Sequence, residues 1–182
     1  MQYNFLWKII CHRSVDVRLI KKLFDGNYLN CYSKWHKLVR LKQILNSEFK
    51  GNVFELSKLK ELCFYHPKIP KELFDLDNLQ LLNICRFHEM PTGIHKLRNL
   101  ESLFIHNTKV CTISTEICQL YNLKELHMWS IKIKQIPKEI CQLHNLLRLS
   151  LNNNRISEIP KEIYQLQNLQ IISLSNNLIH KI

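Results

Sequence analysis

Over the last two thirds of the chain, apolar and polar positions fall into one recurring pattern. Leu146, Leu149, Leu151, Asn154, Ile156 and Ile159 read LxxLxLxxNxIxxI, and Leu169, Ile172, Leu174, Asn177, Ile179 and Ile182 repeat it. Earlier copies keep the apolar places at Leu123, Leu126, Met128, Ile133 and Ile136, and before that at Leu100, Leu103, Ile105, Val110 and Ile113. The dipeptide Asn-Leu marks the period. It stands at 78, 99, 122, 145 and 168, in steps of 21, 23, 23 and 23 residues. Self-similarity at such a fixed period is the signature of stacked supersecondary units.

Each copy predicts one short strand followed by one short helical turn. Leu149 and Leu151 are two apart, so both point to one face of a strand and into a core. Asn154 can reach backbone groups left unpaired where the chain turns off that strand, and stacked copies of it would form a ladder. Pro160 suits the entry to a helical turn, with Ile163 and Leu166 inward. A copy can bury its apolar side only against its neighbours, so the core is continuous and one-dimensional.

The pattern is kept unevenly. The asparagine place is filled at 154 and 177 but holds Ile131, Thr108, Phe87 and Pro67 in the earlier copies, and the repeats beginning at Leu79 and Leu59 are shorter. A less regular N-terminal half follows from this. The asparagines from Asn78 to Asn168, just before each strand, form a second polar column that is better kept.

The repeated IPxEIxxLxNL, as in IPKEICQLHNL and IPKEIYQLQNL, resembles the leucine-rich repeats of the 23-residue intracellular class found in Ras-suppressor, scribble-type and plant Ras-group-related proteins. The resemblance covers residues 49–182. It implies an α/β fold: a right-handed solenoid with a parallel sheet on its concave side and short helical or 3₁₀ segments opposite. It also implies a protein-binding module rather than an enzyme.

Residues 1–48 do not fit the template. Phe5, Leu6, Ile9, Ile10, Val17, Ile20, Leu23 and Phe24 have helix-compatible spacings, so a helical N-terminal cap covering the first apolar edge is expected there. Leu38 and Leu41 are read as the start of a degenerate first strand, with Val53 and Leu56 on its convex side. A helical adaptor of the F-box kind is the alternative, although the usual Leu-Pro entry is missing.

Composition narrows the function. Hydrophobic residues make up 46% and charged residues 23%, a globular balance. No run approaches the ~20 apolar residues of a membrane-spanning helix, and no secretory signal is evident. The seven cysteines show no CxxC pairing, which points to free thiols in a reducing, intracellular and most simply cytoplasmic setting. Phosphate-loop, HExxH, GxSxG and kinase signatures are absent, and three glycines leave little room for a phosphate cradle. The net charge of +11 is concentrated at the start, where residues 1–60 carry 12 basic and 4 acidic side chains. That basic region offers an alternative role in binding nucleic acid or an anionic surface.

The strand positions that alternate with the buried ones would line the concave face. One column reads Cys63, Asn83, Phe104, His127, Ser150, Ser173. Its neighbour reads Tyr65, Cys85, His106, Trp129, Asn152, Ser175, and a third reads Glu61, Leu81, Ser102, Glu125, Arg148, Ile171. With strands about 4.8 Å apart, Tyr65, Phe104, His106, His127 and Trp129 are expected to form one aromatic patch. With Arg148 beside it, that patch is the candidate site for a protein partner. A zinc ion on Cys63, Cys85, His106 and His127 is disfavoured because a flat sheet cannot wrap a tetrahedral ion. No metal, cofactor or catalytic residue is expected. At the other end, Ile172, Leu174, Ile179 and Ile182 lie on an edge without a following repeat, so a homodimer or a self-assembling structural role is a further expectation.

Overall fold

The computed structural model describes residues 28–45, 53–90 and 92–180. The chain divides into two compact units, Met1–Ser57 and Lys58–Ile182. In the first, helix α1 (Tyr28–Ile44) is followed by the short helix α2 (Val53–Ser57). Leu38, Leu41, Leu45 and Leu56 are fully buried. The spacing of Leu38, Leu41 and Leu45 is one apolar face of a helix.

This corrects the expectation of a first strand at Leu38 and Leu41. A repeat strand needs its third apolar place five residues after the first, and that place is Gln43, whereas Leu45 continues the helical face. Residues Phe5 to Phe24, expected to be helical, lie outside the described residues, as does Ile182.

The second unit is a parallel six-stranded sheet in sequence order: β1 (Glu61–Tyr65), β2 (Leu81–Cys85), β3 (Ser102–His106), β4 (Glu125–Trp129), β5 (Arg148–Ser150) and β6 (Ile171–Ser173). Between strands the chain returns through 3₁₀ turns η1 (Lys71–Asp75), η2 (Ile94–Lys96), η3 (Ile117–Gln119), η4 (Lys138–Gln142) and η5 (Lys161–Gln165). Pro70, Pro137 and Pro160 sit at the entry of η1, η4 and η5 with φ of −71°, −67° and −66°, the value their rings impose. Each turn closes on a leucine. Leu79, Leu100, Leu123, Leu146 and Leu169 donate their N–H groups to Leu76, Leu97, Leu120, Leu143 and Leu166.

The alternating strand leucines build the core. Leu82, Leu103, Leu126 and Leu149 stack in register and are fully buried, as are Ile84, Ile105 and Met128. Removing one such side chain costs about 2–5 kcal/mol.

Two polar ladders clamp the turns together. Asn154 Oδ1 accepts from the N–H groups of Ile131 (3.3 Å) and Ile133 (3.1 Å), while its Nδ2 donates to the carbonyls of Met128 and Leu151. Asn177 does the same one repeat on, accepting from Ile156 and donating to Leu151 and Leu174. Where the asparagine is lost, Phe87 and Ile131 fill its place as buried core. The second column is continuous: Asn99, Asn122, Asn145 and Asn168 donate to the carbonyls of Asp77, Arg98, Tyr121 and His144 at 2.7–2.8 Å. After β2 to β6 the chain passes through a left-handed residue, at Arg86, Asn107, Ser130, Asn153 and Asn176, with φ between 50° and 62°. Asparagine tolerates that conformation better than most residues.

Candidate protein-binding surface

The register pairs Phe104 with His127 and His106 with Trp129 across β3 and β4. Parallel strands carry such partners side by side, about 4.8 Å apart, and flat rings standing off the sheet therefore stack. Phe104 and His127 lie 4.7 Å apart at 11°, and His106 and Trp129 lie 4.9 Å apart at 9°. The two stacks are turned edge-on to each other. Phe104 and His127 meet Trp129 at 6.3 and 6.2 Å, with planes at 80° and 86°. All four rings are half-buried, so each is fixed by its neighbours while part of it faces solvent.

Charge borders the rings. Glu125 accepts from Arg148 Nη1 at 3.1 Å and stands 3.7 Å from His127 Nε2, and Lys124 pairs with Glu101 at 2.9 Å. Burial lowers the pKa of His127. Glu125 opposes that shift and Arg148 adds to it. Burial likewise lowers the pKa of His106. Both imidazoles are neutral at pH 7 and behave as aromatic surface.

The three outward columns lie in the register expected from the sequence, but the aromatic patch is smaller than expected. Tyr65 is exposed in the column of His106, yet buried Cys85 stands between them, which puts Tyr65 two strand spacings away, about 10 Å. The rings brought together are Phe104, His106, His127 and Trp129. Arg148 is exposed beside them and held by Glu125. The sequence pattern did not reveal the edge-on arrangement of the two stacks, because it depends on side-chain torsions that column order leaves open.

At the last strand, Ile172 is exposed, and Leu174 and Ile179 are partly so. Among the described residues no group of three or more His, Cys, Asp or Glu side chains is placed to hold a metal ion. No described helix is long and apolar enough to cross a membrane.

Comparison with known proteins agrees with this architecture. A family model described as "Leucine rich repeat" matches residues 121–179. A leucine-rich-repeat protein of Leptospira interrogans is similar over 67% of this chain and 30% of its own, at 39% identity and a TM-score of 0.57. The plant peptide hormone receptor RGFR1, in complex with RGF2, is similar over 60% of this chain and 18% of its own, at 30% identity and a TM-score of 0.52. A plant ice-binding protein is similar over 64% of this chain and 41% of its own, at 27% identity and a TM-score of 0.56. The chain thus spans less than half the length of each. No curated protein sequence matches it significantly.

Proposed function

Because the chain is a leucine-rich-repeat protein, and that fold is generally a non-enzymatic protein–protein interaction module, we propose that it binds a protein partner on its concave sheet and performs no chemistry of its own. The observation that carries this is the pair of ring stacks on β3 and β4. Aromatic side chains already fixed by stacking lose little freedom when a partner arrives, and such anchors supply most of the binding energy in protein interfaces. Arg148, paired with Glu125 at the margin, gives a charged rim. The similar hormone receptor, seen in complex with RGF2, supports the same use of the fold.

The proposal extends to a scaffold role within a reducing compartment. The 23-residue step from Asn99 to Asn168 and the free thiols of Cys63, Cys111, Cys118 and Cys141 support it. Affinity capture with the full chain from its native cell, followed by mass spectrometry, identifies the partner. That partner is then titrated against Phe104→Ala and Trp129→Ala. Loss of about tenfold or more in affinity is expected for Trp129→Ala. Unchanged affinity in variants that keep their fold refutes a concave site.

A further inference from the structure

One charged feature lies off the concave face. The residue that follows the asparagine place is Lys68, His88, Lys109, Lys132 and Arg155 in the first five copies, all exposed, and Leu178 in the sixth. Backbone hydrogen bonds stack these turns directly on one another. The N–H groups of His88, Lys109 and Arg155 donate to the carbonyls of Pro67, Phe87 and Ile133 in the preceding turns. Successive turns therefore follow one another along the solenoid as a basic line, and at the strand spacing of about 4.8 Å five turns extend over about 19 Å. On the concave sheet Lys124 and Arg148 are matched to Glu101 and Glu125, but Lys68, Lys109, Lys132 and Arg155 have no carboxylate partner among the described residues. Arg86 and Lys134, two residues to either side of the line, add to the charge, while Glu89 and Glu158 flank it. Lys132 also holds φ at 62°, a left-handed conformation in which a lysine is disfavoured and an asparagine or glycine is at home.

We propose that this basic line binds an acidic polypeptide segment laid along the solenoid axis. A line of unmatched cations fits a linear polyanion, whereas a membrane surface calls for charges spread over a plane. Nucleic acid is the less suitable linear polyanion. Single strands are held by bases stacking on open ring faces, and among the five residues of the line only His88 carries a ring. An extended run of carboxylates needs no such platform. It needs only flexible donors at close intervals, which four lysine and arginine side chains supply. The site is separate from the concave patch and stands whether or not that patch is used.

The test uses the full chain and a fluorescent oligo-glutamate peptide of about eight residues, long enough to span the line at ~3.3 Å per residue. Binding is followed by anisotropy at rising salt. The triple variant Lys109→Gln, Lys132→Gln and Arg155→Gln is expected to weaken the complex about tenfold, the sum of three exposed ion pairs. Lys109→Arg, Lys132→Arg and Arg155→Lys together should retain it, and added salt should weaken it by screening. Phe104→Ala with Trp129→Ala should leave peptide binding in place, which separates this site from the concave one. Lys132→Asn gives an independent reading: it removes a charge while suiting the left-handed backbone, so binding falls as stability rises. Unchanged peptide affinity in the triple variant and in Lys132→Asn overturns the proposal. Tighter binding of an oligothymidylate of equal charge, or of phosphatidylserine vesicles, overturns it too.

Discussion

The side-chain oxygen of Asn154 serves the backbone of Ile131, a residue 23 positions earlier, in the repeat where the asparagine itself is missing. One amide thereby satisfies the Ile131 and Ile133 N–H groups and the Met128 carbonyl, all in a turn that has no polar side chain of its own at that place. Asn154→Ala should therefore destabilise the chain by about 3 kcal/mol, since several buried backbone groups lose partners at once. Urea denaturation measures this. A loss under 1 kcal/mol would show that water takes over these bonds.

The stacked rings should be energetically coupled. A double-mutant cycle with Phe104→Ala and His127→Ala is expected to give an interaction of about 0.5–1.5 kcal/mol. Additive single effects would mean that the 4.7 Å stack is proximity without attraction.

Stability should fall on mild acidification. His106 and His127 have folded pKa values below their ordinary 6.5, because burial disfavours the charged ring. Above pH 6.5 the folded and unfolded states are both neutral at these sites, so no difference arises. As pH drops below 6.5 the unfolded imidazoles take up protons that the folded ones refuse, and stability declines until the folded pKa is passed. Comparing urea midpoints at about pH 7.5 and about pH 5.5 tests this. The decline should shrink when both residues are glutamine; an equal decline in that variant assigns it to other groups.

Arg86 occupies a left-handed place that asparagine fills at 107, 153 and 176. Arg86→Asn should raise stability by roughly 0.5–1 kcal/mol, because the steric penalty at positive φ is smaller for asparagine. A thermal melt that moves downward would show that the arginine side chain contributes more than its backbone loses.

Burial pushes the Cys118 thiol up to about 12, with the charges of Glu139 and Cys141 adding to the effect. The thiolate is the reactive form, so Cys118 should resist alkylation in the folded chain while exposed Cys63 and Cys111 react. Peptide mapping after brief iodoacetamide treatment, with and without urea, checks the order. Rapid labelling of Cys118 in the folded state would contradict the burial.

The strand columns were legible in the sequence because a repeat makes the same choice at each period, so one well-formed copy at 146–159 sets the register for weaker ones. The column of Phe104 and His127 follows from that alone. The head was misread at Leu38 and Leu41 because a Leu-x-x-Leu spacing fits both the start of a repeat strand and one turn of a helix. Gln43 and Leu45 carry the distinction. Tyr65 was drawn into the aromatic patch by its column, although the column itself places Cys85, which carries no ring, on the strand between Tyr65 and His106. The basic line was overlooked for a different reason: its residues lie beyond the strands, where no alternation marks which way a side chain faces.

The backward reach of the asparagines gives the solenoid a direction. Asn99, Asn122, Asn145, Asn154, Asn168 and Asn177 all donate to carbonyls in the repeat before their own. A repeat is thus completed by its successor, as a course of bricks is locked by the one laid on top. Cutting repeats from the C-terminal side strips the backbone of the surviving turn of its side-chain partners, whereas cutting from the N-terminal side leaves asparagine side chains that can turn to water. For a chain made from its N-terminus, each unit stays provisional until the next one has emerged.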